Sequence, residues 1–165
     1  MKSTKKLTKL AMLTAVSLAI YAAEARLPPV APVPGIKPGL ANAVTLFVFL
    51  IYGAPGAAMV SFGRILLGGF VTGGFSALIY SLAGGAASFA VMAAAYRKMG
   101  ARRAFITGAL GGAAHNLAQL AVAAAVTETP EIFAYLPVLL VSGVITGIFT
   151  GLCAGYAAKR LGSLR

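Results

Sequence analysis

Apolar residues in this chain fall into long, nearly unbroken runs rather than an alternating pattern. A helix that crosses a bilayer needs about 20 mostly apolar residues. Six runs meet or approach that length and predict helices over about 7–24, 39–52, 55–70, 76–96, 103–127 and 132–159. The stretch 27–38 separates the first two and holds five prolines, Pro28, Pro29, Pro32, Pro34 and Pro38, together with Gly35. Proline lacks the backbone donor that a helix interior needs, so an ordered external loop is expected there. The break Gly53-Ala54-Pro55-Gly56 is a turn signal without charge. As one helix, residues 39–70 would measure about 48 Å against a hydrocarbon core of about 30 Å. Two short spans are expected instead.

Charge then orients the spans. Lys2, Lys5, Lys6 and Lys9 precede the first run; Arg97, Lys98, Arg102 and Arg103 separate the fourth from the fifth; Lys159, Arg160 and Arg165 follow the sixth. Basic residues beside spans mark the cytoplasmic side. An even number of crossings between clusters puts all three on that side. The expected fold is an all-α integral membrane protein: six transmembrane helices in a compact bundle, both termini cytoplasmic, one membrane domain over 1–165, in the cell membrane.

Composition agrees: 59% of the 165 residues are hydrophobic and 10% charged, and the mean hydropathy is +0.90. The net charge of +11 does not point to nucleic acid. Eleven of the fourteen basic residues lie in the three clusters, where topology and anionic headgroups account for them. Cys153, the single cysteine, excludes an internal disulfide and reads as a small packing residue. Ala23-Glu24-Ala25 resembles a signal cleavage site. Against cleavage, Ala11, Ala15, Ala19 and Ala23 recur every fourth residue, as in a retained helix. Gly143, Gly147, Gly151 and Gly155 form a similar bare stripe on the last helix, and Gly108, Gly111 and Gly112 on the fifth. Such stripes let backbones approach closely. They serve packing inside the bundle or docking on another membrane protein.

Ionisable and amide side chains at membrane depth are costly and are usually functional. Arg64 lies near the middle of the third predicted helix, and His115, Asn116 and Gln119 cluster at mid-depth on the fifth. Asn42 and Lys37 lie toward the outer side. Each has a structural alternative: Arg64 paired with Glu24 or with carbonyls near Gly68 and Gly69, His115 as a hydrogen-bonded core residue, Asn116 and Gln119 as glue between helices. Together the six favour an outward-opening pocket for an anionic or polarised small molecule. No metal site and no cofactor are expected. The three carboxylates, Glu24, Glu128 and Glu131, form no acidic pair of the kind that holds magnesium and diphosphate, and no phosphate-binding loop occurs. The chain is therefore expected not to be an enzyme.

The runs Pro34-Gly35-Ile36-Lys37-Pro38-Gly39-Leu40-Ala41-Asn42, Arg64-Ile65-Leu66-Leu67-Gly68-Gly69, Tyr80-Ser81-Leu82-Ala83-Gly84-Gly85 and Ala114-His115-Asn116-Leu117-Ala118-Gln119 resemble the Gx transporter family, often labelled heptaprenyl diphosphate synthase component I. That family is similar to the substrate-binding S components of energy-coupling factor transporters. The resemblance implies capture of a small micronutrient or precursor outside, for uptake driven by a transmembrane coupling protein and two cytoplasmic ATPases. It also implies that Ala11, Ala15 and Ala19 dock on the coupling protein. The alternative is a non-catalytic membrane subunit that supports polyprenyl diphosphate or quinone synthesis.

Overall fold

The computed structural model describes residues 2–24, 26, 39–72 and 75–162, with side chains at 4–24, 26, 39–71 and 78–161. They form α1 (Lys2–Glu24), α2 (Leu40–Thr72), α3 (Phe75–Met99), α4 (Ala104–Thr127) and α5 (Leu136–Gly162), with 3-10 turns at Ala101–Arg103 and Pro130–Tyr135. All five helices are long and apolar enough to cross a membrane. α1 begins earlier than the hydrophobic run, because its lysine-rich first turns are also helical. α5 begins at Leu136 rather than 132, since residues 130–135 take the tighter 3-10 turn behind Pro130.

The stretches expected as separate spans, 39–52 and 55–70, lie within α2, which is interrupted at Gly53 (φ 75°, ψ −176°). That backbone conformation is open to glycine and strained for other residues. Pro55 follows within the first turn of the second arm, where its missing N–H costs nothing. The interruption reverses the chain. In a straight helix Asn42 and Arg64 would stand about 33 Å apart, yet Arg64 Nη2 lies 3.3 Å from Asn42 Oδ1. Beside the turn, a Cβ on Gly56 would lie 3.6 Å from Val48. The two arms of α2 therefore run antiparallel, side by side.

Neighbour contacts give the remaining directions. Leu10, Thr14 and Tyr21 of α1 lie against Gly56, Gly63 and Gly68 in turn, so α1 runs parallel to the second arm. Gly69 meets Leu78 and Gly85 meets Ile65, so α3 runs back. Ser88 and Met92 of α3 meet Gly111 of α4, and α4 meets α5 in reverse order through Gly112 with Gly143 and Gly108 with Gly147. One end of the bundle collects the start of α1, the Gly53 turn, the α3–α4 junction and the end of α5. This is the basic end. The other, the loop end, collects Glu24, Leu40, Thr72 and the α4–α5 connection.

The core sits where α1, both α2 arms, α3 and α5 meet, around Leu10, Leu46, Val48, Phe49, Ala57, Val60, Met92 and Ala154. Phe49 joins it to α3 through ring contacts with Phe89 at 5.9 Å and Tyr96 at 5.0 Å. Cys153, expected as a packing residue, is exposed on the outer surface of α5.

Candidate polar site at the loop end

α1 buries Leu10, Ser17, Tyr21 and Glu24, spaced by seven, four and three residues and thus on one helical face. Its alanines 11, 15 and 19 fall on the other side and are exposed. The buried face brings Tyr21 and Glu24 to the start of α2. Glu24 accepts hydrogen bonds from the amides of Leu40 (2.7 Å) and Ala41 (3.2 Å). The first amides of a helix have no partners within it, and its N-terminus favours negative charge. A buried carboxylate is well held there. Two turns earlier on α1, Ser17 donates to the Ala41 carbonyl at 3.2 Å.

Arg64 enters from the second arm of α2 and is only 5% exposed. Nη2 donates to Asn42, and the guanidinium stacks over the Tyr21 ring at 5.4 Å from its centroid. Glu24 is committed to the α2 amides. Arg64 Nε is buried with no hydrogen-bond partner among the described residues, and the same holds for Thr45 Oγ1. A buried donor left unmet costs about 1–3 kcal/mol, more when charged.

Asn42 also lines a cleft that runs inward between α2, α3, α4 and α5. Its walls are Leu46, Ser88, Met92, Thr146 and Thr150, and Gly108, Gly112 and Gly147 leave its floor bare. The cleft is narrow: its internal volume is about 20 Å³, room for about one water molecule. The three hydroxyls went unnoticed in the sequence, because serine and threonine are common in apolar helices and carry no charge to single them out.

The other expected site residues are placed apart. His115 and Gln119 both press on Gly84 of α3, where a Cβ would lie 2.8 Å from either side chain. Asn116 turns to α5 and donates to the Leu139 carbonyl at 2.7 Å and to Ser142 Oγ at 3.4 Å. Asn42 and Arg64 are joined directly, the α4 trio packs against α3 and α5, and Lys37 lies outside the described residues. Gly143, Gly147 and Gly151 lie against the backbone of α4, and Gly155 meets the Ala104 side chain.

Residues 13–157 match the sequence profile of the family described as heptaprenyl diphosphate synthase component I. The chain belongs to this family. No curated protein and no solved structure shows a significant match. In this member of the heptaprenyl diphosphate synthase component I family, Glu24 is buried in the α2 cap, while Glu128 and Glu131 are exposed beyond α4.

Proposed function

We propose that this protein captures a small molecule from outside the cell as the S component of an energy-coupling factor transporter, and performs no catalysis of its own. The chain crosses the membrane six times, the arms of α2 counting as two spans. Both termini and the basic end face the cytoplasm. The observation that carries the reading is Arg64: a buried cation near the loop end, with one donor bonded to Asn42 and another unmet among the described residues. A guanidinium in that setting is costly unless an acceptor arrives. Its planar fork suits a carboxylate, a phosphate or a quinone oxygen. The exposed alanines 11, 15 and 19 supply a bare face for the coupling protein, with two ATPases beneath it. The empty cleft is narrow, so ligand entry moves the helices that line it.

The family's name favours a second reading, a non-catalytic membrane subunit of a prenyl diphosphate synthase. Purification from native membranes separates the two: ATPase subunits co-purify under the first, a soluble prenyltransferase under the second. The pocket has its own test. Native mass spectrometry of the wild type should find a retained small molecule that Arg64→Met loses and Arg64→Lys holds weakly. The ligand-free melting temperatures should change little. If Arg64→Met, Arg64→Lys and Glu24→Gln all lower that temperature and the molecule stays bound, Arg64 is a scaffold residue and the pocket reading fails.

A further inference from the structure

The basic end carries an asymmetry that orientation alone does not use. Lys5, Lys6, Lys9, Arg97, Lys98, Arg102, Arg103, Lys159 and Arg160 are all exposed there. The chain's three acidic residues, at 24, 128 and 131, belong to the loop end. Two of the basic pairs are drawn together by the close packing of α4 on α5. A Cβ on Gly151 would lie 2.5 Å from the Ala104 carbonyl and 2.6 Å from Phe105 Cα, and one on Gly155 would lie 3.4 Å from Ala104 Cβ. Arg102 and Arg103 immediately precede that contact, in the 3-10 turn before α4, and Lys159 and Arg160 follow Gly155 by one turn on α5. Arg160 is stacked over Tyr156, 5.4 Å from the ring centroid. Toward the membrane side, the neighbouring surface is apolar and exposed: Phe105, Leu152 and Tyr156.

We propose that this corner, between the start of α4 and the end of α5, binds the headgroup of an anionic phospholipid. Arg102, Arg103, Lys159 and Arg160 hold the phosphate, and the acyl chains lie along Phe105, Leu152 and Tyr156. The apolar flank decides between partners. An acidic protein surface would match the cations and leave three large apolar side chains without a counterpart, whereas a phospholipid matches both. The corner is separate from Arg64, at the opposite end of the bundle, and the inference does not depend on what the loop end binds. Charge attraction between one basic side chain and an anionic membrane surface is worth about a factor of five in affinity. Four charges focused on one headgroup therefore discriminate strongly.

The test uses full-length protein in a neutral detergent, titrated with phosphatidylglycerol or with phosphatidylcholine of the same acyl chains, and read by native mass spectrometry. Phosphatidylglycerol should bind as a discrete first adduct, at least about tenfold more tightly than phosphatidylcholine. The variant Arg102→Gln, Arg103→Gln, Lys159→Gln, Arg160→Gln should lose that preference with an unchanged circular dichroism spectrum, because all four side chains are exposed. The control Lys5→Gln, Lys6→Gln, Lys9→Gln should keep it. Millimolar inorganic phosphate should compete poorly, since it lacks the acyl chains; full competition would make this a free-phosphate site and overturn the lipid assignment. Equal binding of the two lipids, or equal loss in the two variants, would reduce the corner to diffuse charge. Binding of a polyglutamate peptide that depends on the four residues, without preference for phosphatidylglycerol, would assign the corner to an acidic protein.

Discussion

Replacing Gly147 with alanine adds one methyl group where the backbones of α4 and α5 approach closely. The new Cβ would press on the Gly108 carbonyl oxygen and lie 2.8 Å from Ala109 Cα. Both neighbours are backbone, so neither can rotate aside. Relief requires the helices to separate by about 1 Å, and a gap of that size forfeits about a quarter to a half of the dispersion energy of each contact it opens. In the bilayer no hydrophobic effect pulls them back, since lipid is as apolar as the protein. Overpacking of this kind costs about 1–3 kcal/mol, which for a chain of this length lowers the melting temperature by about 2–4 °C per kcal/mol. Gly155→Ala is the internal control: on the same stripe, its Cβ would meet only the Ala104 side chain at 3.4 Å, an ordinary contact, and alanine is the better helix former by about 1 kcal/mol. Thermal unfolding in detergent, followed by the loss of helical circular dichroism, should show Gly147→Ala several degrees below wild type and Gly155→Ala at or above it. Equal melting temperatures would show that the two helices are not held by the close approach of their backbones.

Asn116→Leu should lower the melting temperature as well, since it removes donors that reach the Leu139 carbonyl and Ser142; interhelical bonds of this type are worth about 0.6–2 kcal/mol, and an unchanged value would free Asn116 for a ligand. In a Cys153→Ala background, Thr129→Cys should react with an impermeant maleimide from outside and Ala101→Cys only from inside; outside labelling at 101 would overturn the six-crossing topology. Ala15→Leu should impair co-purification with the proposed coupling protein while the proposed small-molecule ligand stays bound, and an intact complex would remove α1 from the docking face.

Long apolar runs and charge clusters were legible in the sequence because lipid admits few alternatives to a helix. Glycine stripes were legible too, but not their partners. Gly108, Gly111 and Gly112 read as one patch, yet Gly111 meets Ser88 and Met92 of α3 while Gly108 and Gly112 meet α5. Adjacent residues on a helix point about 100° apart, and nothing local says which neighbour lies in each direction. The same limit applies to His115 and Asn116, consecutive residues that serve different interfaces. Arg64 stood out by its charge, whereas Tyr21 beneath it and the hydroxyls of Ser88, Thr146 and Thr150 did not. Those are contacts between distant segments, set by the fold-back at Gly53.

That fold-back also bears on how the chain enters the membrane during synthesis. The first arm of α2, residues 40–52, is about 20 Å long and the second, residues 54–72, about 28 Å, against a core of about 30 Å. The first arm alone is too short to halt in the bilayer as an independent span. The turn between the arms carries no charge that would hold it in the cytoplasm while the second arm is still being made. On the six-crossing topology proposed above, the two arms would leave the insertion machinery as one paired unit, with the Asn42–Arg64 contact formed inside it, so that the costly guanidinium would reach the lipid already accompanied.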